Sequence, residues 1–150
     1  SHTLTIDRGT TDNVFVGQPL LDAEGLMGQI IAVHKTHSTA LLITDSNHAL
    51  PVQVLRNGLR SIAEGRADYN RLNLRFVSPT ADIREGDKLV SSGLGGLYPA
   101  GYPVGTVLSI VSRPGDNFLK IDIDPSAEID RSRHLLLLYT SRDSAEGLVE

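Results

Sequence analysis

The chain has 150 residues, 40% of them hydrophobic and 21% charged, with a net charge of −4. That length allows one ordinary domain or two small ones, and the composition is globular rather than disordered. The acidic balance offers no counterion-release argument for nucleic acid. The absence of cysteine removes disulfides, thiolate metal sites and cysteine nucleophiles, and no apolar run approaches the ~20 residues of a membrane helix.

In chain order, Leu4 and Ile6 alternate with Thr3, Thr5 and Asp7, the pattern of a half-buried strand. Ser1-His2 ahead of it reads as a remnant of a tag, so the chain reads as a fragment. Gln18–Leu21, Leu26–Val33 and Thr39–Thr44 follow as short strands, Gly28 marking a bulge or corner in the second. In Leu50–Val54, Pro51 argues for an edge position. Asn57-Gly58 is a strong turn signal, and Ser61–Glu64 is a short strand. Arg71–Val77 alternates most clearly, with Leu72, Leu74 and Phe76 on the core face. Leu119, Ile121 and Ile123 alternate with Lys120, Asp122 and Asp124. Pro125–Arg131 reads as one helical turn, Leu135–Tyr139 as a final buried strand, and 141–150 as a polar, flexible tail.

One stretch stands apart. Glu85–Ser109 carries six glycines and two prolines between short apolar pieces, which reads as strand, glycine corner, tight loop and strand. There is also an internal repeat: Thr11, Val14, Gly17, Leu20 and Leu21 match Thr80, Ile83, Gly86, Leu89 and Val90 at a constant offset. About ten short strands with almost no helical periodicity predict an all-β fold, and the repeat predicts two small antiparallel β-barrels in tandem. The expected division is a first barrel over 1–58 and a second over 59–140, with strands free to cross between them.

Three chemistries are weighed. His34, His37 and His48 would be the ligands of a metal-dependent binding module, but no cysteine or well-spaced acidic ligand supports them, and solvated loop histidines are the better reading. A serine hydrolase on a double barrel would use Ser91 or Ser92, yet no Gly-x-Ser-x-Gly elbow exists, and a strand entering a glycine turn is the simpler account. Gly93–Gly96 lacks the lysine and the following helix of a phosphate loop. No catalytic residue, metal or cofactor is assigned. The candidate protein interface is the Gly93–Pro103 loop, with Leu94, Leu97, Tyr98 and Tyr102 on it. Large residues on a glycine/proline loop either meet a partner or plug the end of their own barrel.

The segment GDKLVSSGLGGLYPAGYPVGTV resembles the signature stretch of the MreC family of bacterial rod-shape-determining proteins. DRGTTDNVFVGQPL, EGLMGQI and LLITDSNHALPVQV support the resemblance, which runs from Leu4 to Leu138. It implies a pair of non-catalytic periplasmic β-barrels behind a coiled coil, tethered to the inner membrane by an N-terminal helix. It also implies a strand just before Leu4. Implied partners are a second copy, in dimers or filaments, the class B penicillin-binding protein of elongation, and RodA, MreD and MreB. The implied role is a scaffold of the cell-elongation machinery that favours the active transpeptidase.

Overall fold

The computed structural model describes residues 2–139. The expected tail, 141–150, lies outside the described residues. The regular structure is eleven strands and two short 3-10 turns, with no α-helix among the described residues. The strands are β1 (Thr3–Ile6), β2 (Pro19–Leu21), β3 (Leu26–Val33), β4 (Ser38–Leu42), β5 (Ala49–Val54), β6 (Arg60–Gly65), β7 (Leu72–Arg75), β8 (Lys88–Ser91), β9 (Pro103–Val111), β10 (Lys120–Pro125) and β11 (Leu136–Leu137).

The fold is all-β and its sheets are antiparallel. Five strands form a first, open sheet in the order β1-β4-β3-β2-β11, and six close into a barrel in the order β10-β7-β6-β5-β8-β9. Leu50, Val52, Leu72, Leu74, Leu89, Ile121 and Ile123 fill the closed barrel, while Leu20, Leu26, Ile30, Ala40 and Leu42 fill the curve of the first sheet. These are the inward positions of the period-2 patterns, so the aliphatic composition is placed where alternation puts it.

The repeat is physical. Gly17 and Gly86 both adopt positive φ, +92° and +89°, which an L side chain resists. Each then donates its N–H to the following long strand, Gly17 to Ile30 and Gly86 to Val107, both at 2.8 Å. In return Ile30 donates to Gln18 and Val107 to Asp87. At the same offset of 69 residues, β1 falls on β7. The match ends at one place. β7 has β6 on its outer side, whereas β1 has a bare edge facing the bare edge of β11. Between those edges lies a cavity of about 420 Å³ lined by Ile6, Leu20, Leu135 and Leu137.

The sheets divide the chain differently from 1–58 and 59–140. β5 pairs only with β6 and β8 inside the closed barrel, and β11 returns to β2 in the open sheet. The passage between the two therefore runs through 43–48. Asn57-Gly58 is the hairpin turn between β5 and β6, with Gly58 at φ +75°. Pro51 is not on an edge, because closure leaves none. It sits just beyond the β5–β8 ladder, where its missing N–H costs no bond. Of the helical turn expected at Pro125–Arg131, Pro125 belongs to β10 and Ser126-Ala127 is a bend, and the turn itself comes at the end, where the Arg131 and Ser132 N–H groups both donate to the Glu128 carbonyl.

Phe76 departs most from expectation. The alternation puts it in the core, but its φ is +60° and its side chain is 66% exposed. The left-handed residue breaks the strand's period, and Val77 takes the buried position instead.

The two sheets touch through specific contacts. Asp22 Oδ2 accepts from the Glu128 N–H at 2.8 Å, and Gln29 Nε2 donates to the Leu97 carbonyl at 3.1 Å. A Cβ on Gly25 would lie 2.6 Å from the Pro103 carbonyl oxygen, so glycine is required where the first sheet meets the barrel.

Candidate protein interface

The Gly93–Pro103 loop leaves β8 and returns as β9. Gly93, Gly95, Gly96 and Gly101 all have positive φ, and Leu94–Gly96 forms a 3-10 turn between them. Four left-handed residues within nine fold the chain back tightly, which explains the glycine density.

Ser91 anchors the loop. Its hydroxyl donates to the Pro99 carbonyl at 2.6 Å and accepts from the Tyr102 N–H at 3.0 Å. Its backbone bonds both Gly101 and Tyr102. Ser91 is buried, and its hydroxyl is committed to the loop rather than to a histidine.

Tyr98 is the second anchor. It is 3% exposed, and its hydroxyl lies 2.8 Å from His48 Nε2. Burial pushes the Tyr98 hydroxyl above its ordinary range. Burial also pulls His48 down to about 4, against the opposing charge of Asp45, so His48 is neutral at pH 7. Asn47 and His2 N–H groups donate to Asp45 and hold its carboxyl below the usual range despite burial. Since His48 ends the 43–48 passage, this bond ties the loop to the segment that joins the sheets.

The four candidate residues therefore split. Tyr98 is buried and held inward by His48. Tyr102 is half-buried and packs against the core. Leu94 and Leu97 face solvent, 46% and 45% exposed. They border a cleft of about 790 Å³ whose opposite wall comes from the first sheet: Phe15, Val16, Gly17, Pro19 and Gln29. The sequence reading overlooked Val16, which is more exposed still. A signal was present, because the repeat aligns Phe15-Val16 with Arg84-Glu85, an apolar pair where the second copy is charged.

The other candidates are scattered. His34 and His37 stack with ring centroids 4.6 Å apart in an exposed loop, while His48 is internal. Among the described residues no three His, Asp or Glu converge as a metal site. Most arginines of the middle segment meet carboxylates: Arg56 forks onto Asp82 and Asp87, Arg66 reaches Asp122, and Arg75 holds Glu64. Arg56 keeps the Asp82 and Asp87 carboxyls below their usual range.

A family model described as "Rod shape-determining protein MreC, barrel core" matches residues 1–139. The chain belongs to the MreC family. It is 45% identical over 139 residues to the cell shape-determining protein MreC of Escherichia coli K12, covering 93% of this chain and 38% of that protein. The chain thus spans about two fifths of the length of the curated relatives it matches. The crystal structure of MreC from Pseudomonas aeruginosa superposes with a TM-score of 0.90 at 52% identity, covering 93% of this chain and 90% of that one. A structure described as a complex between penicillin-binding protein PBP2 and MreC from Helicobacter pylori shares the fold, with a TM-score of 0.70 at 22% identity, covering 91% of this chain and 85% of that one.

Proposed function

We propose that this chain is the protein-binding part of a non-catalytic periplasmic scaffold for cell elongation, one that binds the elongation class B penicillin-binding protein and self-associates. The observation that carries the reading is the cleft. It exposes Val16, Leu94 and Leu97 across the junction of two sheets, on a loop held by Ser91 and His48. Pre-positioned apolar side chains lose little entropy on contact, which suits recognition rather than chemistry. Family membership, and the Helicobacter relative's description as a complex with PBP2, support the choice of partner. A scaffold of this kind activates its partner by binding the active conformation more tightly than the inactive one. RodA, MreD and MreB complete the proposed assembly, and an N-terminal anchor in the full-length protein tethers it to the inner membrane.

A titration of the penicillin-binding protein's periplasmic region with this chain and with Leu97→Asp tests the reading. Burying an unpaired carboxylate in the cleft should weaken binding by at least about ten-fold. Equal affinity of the two proteins would remove the loop from the interface. No binding by either would refute the partner.

A further inference from the structure

A second surface lies on the closed barrel, away from the cleft. Phe76 follows β7 in the left-handed conformation, which a bulky residue rarely adopts, and the residue is exposed. There it meets Phe118, 47% exposed, edge to face at 5.4 Å, and the Arg75 guanidinium lies 5.6 Å from the ring centroid. Two of the chain's three phenylalanines are thus paired in solvent. A cavity of about 360 Å³ opens beside Phe118, lined by Asn73, Lys120 and Arg66. The backbone does not require a phenylalanine at this position, since a glycine would adopt the left-handed conformation without strain.

The charges around the pair are one-sided. Arg60 opens β6 beside the end of β7, and Arg113 and Lys120 belong to the β9–β10 hairpin that carries Phe118. None of the three makes an ion pair among the described residues, and Asp116 is the one unpaired carboxylate of that hairpin. A positive, aromatic rim on a chain of net charge −4 calls for an acidic counterpart. Two copies placed face to face here would repel. The closed barrel offers no edge for strand addition, so contact is through side chains. The cavity mixes apolar Leu74, Leu119 and Ile121 with polar Asn73 and the cations Arg66 and Lys120, a recess that suits an apolar side chain flanked by carboxylates.

We infer that this end of the barrel is a docking surface for an acidic protein segment, which seats an apolar side chain against Phe76 and Phe118 and a carboxylate against Lys120. The surface is independent of the Leu94–Leu97 cleft.

The test uses a dye-labelled peptide with a central Leu-Phe pair flanked by acidic residues, and its lysine-flanked counterpart, read by fluorescence anisotropy. The acidic peptide should bind at least about ten-fold more tightly than the basic one. Phe76→Gly should cut that binding about ten-fold while leaving the urea midpoint nearly unchanged, because relief of the left-handed strain offsets the lost contacts with Phe118 and Arg75 and the added freedom of the unfolded chain. Lys120→Glu should abolish the peptide preference, because it leaves the unpaired charges of the rim balanced. Unchanged binding by Phe76→Gly would overturn the proposal and return Phe76 to a packing role. Phe76-dependent cosedimentation with phosphatidylglycerol vesicles without peptide preference would overturn it in favour of a membrane. Phe76-dependent dimerisation in sedimentation would overturn it in favour of a second copy.

Discussion

Acid should destabilise this protein through one histidine before its carboxylates titrate. His48 is buried against Tyr98, and its pKa is about 4 in the folded chain against 6.5 when exposed. Burial is the cause, since the low-dielectric surroundings penalise the imidazolium. Between those values the unfolded state binds a proton that the folded state refuses, so stability is complete above pH ~6.5 and falls with pH down to ~4. The linkage relation gives a loss of about 2 kcal/mol between pH 8 and pH 5. For a chain of this size that lowers the melting temperature by roughly 4–8 °C. Urea titrations at pH 8, 7, 6 and 5, followed by tyrosine circular dichroism, measure the slope. His48→Gln, which can still meet the tyrosine hydroxyl but cannot charge, should flatten it over this range. If His48→Gln and the unmodified protein lose stability in parallel, the sensitivity lies elsewhere and the buried-histidine account is wrong.

Ser91→Ala should cost about 2 kcal/mol or more, since the Tyr102 N–H and the Pro99 carbonyl both lose their partner. The same variant should speed amide exchange at 93–102, measured by mass spectrometry, while leaving β6 and β7 protected. Gly105→Ala should cost about 2–3 kcal/mol, because the new Cβ would overlap Ile123 Cγ2 and lie 2.7 Å from the Asp124 carbonyl oxygen. Its urea midpoint checks this, and a midpoint equal to that of the unmodified protein would show that β9 and β10 move apart freely.

The strands were legible because their periods are strong. Leu72 and Leu74, Ile121 and Ile123, and the matched Gly17 and Gly86 corners are local patterns that the fold obeys. The division at Asn57-Gly58 misled for a physical reason: a type of turn that joins hairpin strands marks the inside of a barrel as readily as its border. Which barrel owns β5 depends on the pairing of Val52 with Ser91, nearly forty residues away, and no local signal carries it. Phe76 was illegible because alternation assumes an unbroken strand. Tyr98 was ambiguous because its partner, His48, lies fifty positions upstream. The loop itself was found from glycines, prolines and tyrosines, whereas the opposite wall of the cleft at Phe15-Val16 shows only when the two repeat copies are compared.

Site-specific photo-crosslinking in the full-length protein tests the scaffold account most directly. A benzophenone side chain replaces Leu97 in one version and Lys35, on the exposed loop of the first sheet, in another. The account predicts covalent adducts with the elongation penicillin-binding protein, or with a second copy, from position 97 and not from position 35. Adducts from position 35 alone, or none from position 97 in a folded protein, would contradict it.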